Sequence, residues 1–217
     1  MKKRTGLVAL VAFGTMVAMG SIGALLAGCA AVVQQPTDAQ VADTLRASFK
    51  EAGAAKLDRL DQTELQAACT EASRSGKDLG PKVRSALQAK ALASVKYPTD
   101  GKYIGDWKRG EAIAQNGRGL QFTDAANATA GGNCYACHQI DKNEIAYGNI
   151  GPTLAGYGKS RGNSDAIQKY TWARIWNSHA FNACANMPRF GDAGILTEDQ
   201  IRDVMALLLD PQSPVNQ

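Results

Sequence analysis

The residues most able to do chemistry are Cys134-Tyr135-Ala136-Cys137-His138. Two sulfurs three residues apart can each form a thioether to a haem vinyl group, and a histidine directly after the second can swing beneath the ring to ligate iron. A thioredoxin-like dithiol shares the cysteine spacing but needs a preceding strand and a βαβ frame. Here Ala130-Gly131-Gly132-Asn133 comes before the motif, with no strand pattern around it. Structural zinc would need a second Cys/His pair at finger spacing, which this chain lacks. The expected cofactor is one covalently bound haem c.

His138 can fill only one axial position of a haem iron. The sixth ligand must come from Met187, His179, Met205 or, remotely, Cys184. Met187 is the first candidate, because Ala185-Asn186-Met187-Pro188-Arg189-Phe190-Gly191 reads as a loop that its proline stiffens, and a rigid loop can hold a weak thioether against iron. His179 is the competitor, since imidazole is the stronger ligand. It follows a predicted helix through Tyr170, Trp172 and Trp176, where it could equally hydrogen-bond the helix end. Met205 falls on the apolar face of the last helix, the ordinary place for a core methionine. A His/Met pair leaves no coordination position for a substrate, which points to electron transfer, and the thioether raises the potential. An open sixth position would instead make a peroxidase-like haem enzyme.

Histidine ligands usually donate their second ring nitrogen to a carbonyl, and in Asn149-Ile150-Gly151-Pro152-Thr153-Leu154 the Pro152 carbonyl is the candidate acceptor. Trp107, Tyr157, Arg161 and Trp172 could each line the haem or touch its carboxylates, although ordinary packing or surface placement is the better account of all four. Five cysteines less the haem pair and Cys29 leave Cys69 and Cys184. In an exported protein such a pair is expected to form a disulfide. Two free thiols, one of them reactive, are the alternative.

Export is read from the N-terminus. Lys2-Lys3-Arg4 precede an uncharged apolar stretch that ends Leu26-Ala27-Gly28-Cys29, the order of a secretory signal. The small residues before a cysteine resemble a lipobox, so residues 1–28 are read as a lipoprotein-type signal peptide with Cys29 as the acylated new N-terminus. Cleavage near Ala30 or Ala31, or an uncleaved anchor of about 20 apolar residues, are the alternatives. All three export the chain, and a lipid on Cys29 would be the membrane connection.

Residues 29–100 read as a linker and a helical extension, with helices starting near Asp38, around Leu60 to Cys69, and at Pro81. Residues 101–217 read as the haem-carrying domain. Asp106 caps its first helix and Gly117 is the expected left-handed stop. Thr197-Glu198-Asp199-Gln200 opens its last, with Ile201, Val204, Met205, Leu208 and Leu209 on one face. The fold class is all-α. The 217 residues are 45% hydrophobic and 20% charged, which excludes wholesale disorder and coiled coil. The net charge of +4 falls to +1 once Lys2, Lys3 and Arg4 are removed, so the chain carries no footprint for nucleic acid.

The haem motif, Gly151-Pro152-Thr153-Leu154, the Trp172/Trp176 helix, Asn186-Met187-Pro188-Arg189-Phe190-Gly191 and the final helix from Leu196 to Leu208 together resemble the SoxX family, monohaem subunits of the SoxAX cytochrome. The first two elements are general to class I cytochromes c; the methionine loop and the Trp-rich helix narrow the match, which covers residues 104 to 209. The resemblance implies a class I cytochrome c fold in which the first and last helices cross over the haem. It also implies a SoxA-like haem partner carrying the catalytic haem, and a SoxYZ carrier whose cysteine is oxidatively coupled to thiosulfate. A small cytochrome c is the implied electron acceptor. This chain would then be the electron-transfer subunit of an L-cysteine S-thiosulfotransferase, with no catalytic residue of its own. A freely diffusing periplasmic shuttle is the alternative, against which the extension counts mildly, because a protein that only diffuses needs no such helices.

Overall fold

Capping chemistry sets most helix starts. The computed structural model describes residues 35–217, so the predicted signal segment and Cys29 lie outside the described residues. Helix α1 runs Asp38–Ser48. Its cap is Thr37, not the expected Asp38: the Gln40 N–H donates to the Thr37 hydroxyl at 3.3 Å, and the Thr37 N–H donates to the Gln40 side chain at 2.8 Å. Helix α2, Glu64–Ser75, opens on the same reciprocal box between Thr63 and Gln66 and stops at Gly76, whose φ of 64° only glycine adopts freely. Pro81 begins α3, Pro81–Ala93, at the one place where its missing N–H costs nothing. The chain divides inside α1, residues 44–217 forming one compact unit.

Within that unit four further helices follow, α4 Trp107–Gln115, α5 Tyr157–Arg161, α6 Asp165–Trp176 and α7 Glu198–Leu209. Among the described residues no strand occurs, and extended pairing is confined to an isolated bridge between Ala52 and Ala55. Asp106 caps α4 as predicted, accepting from the N–H groups of Lys108 and Arg109 at 2.8 and 3.1 Å. Gly117 is not the stop. The helix ends at Asn116 in an extended conformation. The reason is tertiary: the carbonyl of Asn116 accepts from Asn133 N–H and that of Ile113 from Gly132 N–H, tying the helix end to the segment before Cys134.

Helices α4 and α7 cross closely. At the crossing Gly110 is buried, and a Cβ there would overlap the Asp203 carbonyl oxygen. Asp203 is 6% exposed and fully engaged: both its carboxylate oxygens accept from Arg109 at 2.8 Å, and the Asp106 N–H donates to it at 2.8 Å. Helix α7 was expected to bury one face, yet Ala206 and Leu207 are buried as well as that face, because α4, α5, α6 and the C-terminal turn Pro214–Asn216 surround it. Gly110→Ala is therefore expected to force the two helices apart and to destabilise the domain by about 1–3 kcal/mol, the usual cost of overpacking. Thermal unfolding of the haem-loaded protein checks this.

Helices α2 and α3 and the segment after them lie against α6 and the turn Ser178–Ala180 that follows it. Leu65, Leu87 and Ala183 form a small apolar cluster. Trp172, 0% exposed, donates its indole N–H to the Lys96 carbonyl at 2.8 Å, and the Asn177 side chain donates to Ser94 at 3.0 Å. Trp172 also meets Tyr103 edge-on at 5.6 Å and stacks on Trp176 at 6.0 Å, so α6 forms the hinge of packing between the extension and the helices beyond.

Candidate functional site

One cavity of about 630 Å³, within the size range of small-molecule clefts, gathers the residues singled out above. Cys134, Cys137, His138, Pro152 and Met187 all line it, as do Tyr157 and Arg161. Its walls are mostly apolar, with Ala114, Ile140, Ile175, Phe190 and Leu207 among them. Trp107 does not line it, and Trp172 belongs to the core.

The attachment segment is held by its backbone. Asn133 sits at φ 46°, turning the chain into the short helix Cys134–Ala136. The Gly148 N–H then donates to the Tyr135 carbonyl at 2.8 Å, folding the following loop back. Burial pushes the Cys134 thiol up to about 12, which keeps it neutral among apolar neighbours. His138 Nδ1 lies 2.7 Å from the Pro152 carbonyl. A carbonyl can only accept, so Nδ1 carries the proton and Nε2 keeps its lone pair for a metal. Gly151 lies flat on the imidazole: a Cβ at that position would fall inside the ring.

The other candidates for the sixth position have partners of their own. His179 is buried, does not line the cavity, and has Nε2 3.3 Å from the Ala185 carbonyl. Burial lowers its pKa, so it sits there as a neutral donor. Met205 is 0% exposed inside the core cluster. Cys184 lines the cavity but is joined to Cys69 with an S–S distance of 2.06 Å. Met187 lines the cavity from a loop fastened on several sides. The Ser178 hydroxyl donates to its carbonyl at 2.6 Å, Gly191 packs on the Trp176 ring, and Arg189 pairs with Asp192 at 2.8 Å.

Two features go beyond the sequence reading, which weighed Arg161 but not Arg174 or Glu111. Arg161 and Arg174 both line the cavity, and their guanidinium groups alternate with the rings of Tyr157, Tyr170 and Phe181 at 5.3 to 5.9 Å. No ion pair engages either among the described residues, whereas Arg109, Arg189 and Arg202 are each paired. Two such cations suit the carboxylates that a haem carries. The second is Glu111 on α4, which accepts from Tyr135 O–H at 3.1 Å and from the Gln115 side chain at 2.6 Å. Its pKa is raised, chiefly by burial and further by Asp141 and Glu144, against the lowering by its two donors. Spacing on α4 gives no hint of this, because Tyr135 arrives from another segment.

Residues 108–210 match the family model described as Cytochrome c. Their fold is that of the class I c-type cytochromes. It is all-α and binds haem c covalently. A curated relative from Aquifex aeolicus (strain VF5), described as an uncharacterized lipoprotein, is 43% identical over 125 residues, which make up 57% of this chain and 59% of that protein. The chain thus spans 59% of the length of the relative it matches. Among the described residues no helix is long and apolar enough to cross a membrane, and no cluster of His, Cys, Asp and Glu stands ready for a separate metal ion.

Proposed function

We propose that Cys134 and Cys137 carry the haem thioethers, that His138 and Met187 are its axial ligands, and that the chain is the electron-transfer subunit of a SoxAX-type complex. The observation that carries the ligand set is the cavity itself, where a histidine with a free Nε2 and a loop-fixed methionine are the side chains offered, while His179, Met205 and Cys184 are otherwise engaged. The bound haem supplies a one-electron carrier. Pro152 orients His138, Ser178 holds the backbone of Met187, and the apolar walls exclude water. With both axial positions filled by protein, no site remains for a substrate.

The SoxAX assignment rests on the methionine loop, Asn186 to Gly191, and the Trp172/Trp176 helix. In this reading electrons released by coupling thiosulfate to a SoxYZ cysteine arrive through a SoxA-like haem chain and leave to a small cytochrome c. The extension from residue 44 to about 100 then offers a partner surface, with Leu57, Val83, Leu92 and Tyr97 exposed. Export with a lipid on Cys29 is part of the same proposal, supported by the lipoprotein description of the relative. Affinity isolation of the tagged protein from membranes of thiosulfate-grown cells tests it. A SoxA-like haem chain in equal amount, and a diacylated Cys29 in the mass of the mature N-terminus, are the expected results. Recovery of the monohaem chain alone at every salt concentration would instead establish a free shuttle.

A further inference from the structure

We propose that Glu111 is a proton-binding site coupled to the haem electron, so that this cytochrome takes up one proton, on the Glu111 carboxyl, each time it is reduced. The inference rests on the haem c electron-transfer reading of the cavity.

Glu111 stands at the back of the attachment segment. Ala114, three residues further along α4, lines the cavity, and Tyr135, which holds the Glu111 carboxyl, lies directly after Cys134. Tyr135 is 6% exposed, so the link between carboxyl and haem segment runs through protein and not through water. One carboxyl oxygen, Oε1, receives both hydrogen bonds. The other, Oε2, is buried and has no partner among the described residues. No cation pairs with Glu111 there either. The titratable groups that face it are Tyr135 from the attachment segment and Asp141 and Glu144 from the loop after it. Gln115 approaches from its own helix.

A buried carboxylate with one bare oxygen, no counter-ion and two like charges nearby is expensive to keep ionised. An electron placed on the haem adds another negative charge to the same water-poor region. Protonating Glu111 cancels that added charge. A cleft beside Tyr135 gives the proton a route. An open cleft of about 540 Å³ is lined by Gln115, Tyr135, Glu144 and Tyr147, so both hydrogen-bond donors of Glu111 stand between it and solvent. The step balances: the iron gains one electron from a one-electron donor, the Glu111 carboxylate gains one proton from water in the cleft, and both depart on oxidation. The net charge of the buried region is the same in the two states.

Potentiometric titration of the haem-loaded protein at pH values across ~4 to 8, the range of a displaced carboxyl, tests the coupling. Within the window between the oxidised and reduced pKa values of Glu111, the reduction equilibrium constant is expected to fall by up to tenfold per pH unit, which for a one-electron couple is 59 mV. Glu111→Gln keeps the size and loses the titration, so its profile should be flat. Tyr135→Phe keeps the carboxyl and deletes a donor that favours its charged form, so its window should move to higher pH. Infrared difference spectra, reduced minus oxidised, should show the carbonyl band of a protonated acid that is absent in Glu111→Gln. A flat profile in the unaltered protein would overturn the proposal and leave electron transfer standing. A Glu111→Gln profile with an undiminished slope would overturn it too, handing the proton to Asp141, Glu144 or the haem carboxylates. Should Glu111→Gln fail to load haem, an unmoved window in Tyr135→Phe decides against it. Failure of the unaltered protein to hold haem would instead sink the reading beneath it.

Discussion

Met187→Ala is expected to abolish the thioether-to-iron charge-transfer absorption of the ferric protein. The side chain's loop is fixed by the Ser178 hydroxyl at its carbonyl, by Gly191 on Trp176 and by the Arg189–Asp192 pair. No neighbour is poised to replace it. His179 is spent on the Ala185 carbonyl and Cys184 is in the disulfide. The variant should therefore keep its covalent haem and gain an open coordination position, to which cyanide and carbon monoxide bind rapidly. Loss of the thioether favours ferric iron, so the reduction equilibrium should fall by about tenfold or more, ~1.4 kcal/mol. Ferric spectra before and after cyanide and ferrous spectra under carbon monoxide read the first two effects, and a potentiometric titration reads the third. An unchanged spectrum would remove Met187 from the iron.

The second large effect concerns the Cys69–Cys184 bridge. It closes a loop with a sequence separation of 115. In the chain-entropy account a loop of that length restrains the unfolded chain by about 5 kcal/mol. Paired replacement by serine should lower the melting temperature by roughly 10–20 °C for a domain of this size. A local effect accompanies the global one. Cys184 precedes Met187 by three residues, and the bridge fastens that loop to α2 beside the Leu65–Leu87–Ala183 cluster. In the serine variant the charge-transfer absorption should vanish on heating before the helices melt, whereas in the unaltered protein the two losses should coincide. Following that absorption and far-ultraviolet circular dichroism in one temperature scan separates them.

How much of this was legible depends on whether a residue's role is fixed by its chain neighbours or by distant ones. The haem c cofactor could be read because covalent chemistry and a short spacing define its motif, and the Pro152 carbonyl named from the same stretch does lie 2.7 Å from His138 Nδ1. The capping boxes at Thr63 and Thr197 are equally local. The left-handed stop expected at Gly117 failed for the opposite reason, since the carbonyls at the end of α4 are taken by Gly132 and Asn133. Arg161 was weighed as a haem neighbour, whereas Arg174 became notable only when three aromatic rings from different segments were seen between the two. Trp172 was weighed as a haem neighbour, and its indole instead reaches a carbonyl 76 residues away. Glu111 reads as one more surface carboxylate of an amphipathic helix until Tyr135 is placed over it.

The contrast between the two kinds of cysteine bears on how the chain matures. Besides Cys29, four thiols would enter an oxidising compartment together, and wrong pairing would leave either the haem or the extension unattached. The structure separates their fates. Cys69 and Cys184 are drawn together beside the small apolar cluster that holds α2 and α3, and Cys184 remains accessible to an oxidant. Cys134, held protonated by its apolar surroundings, is a poor attacker in thiol–disulfide exchange. Folding itself thus acts as a sorting step. Once the cavity has formed around Cys134, exchange of that thiol with the bridge cysteines is slowed.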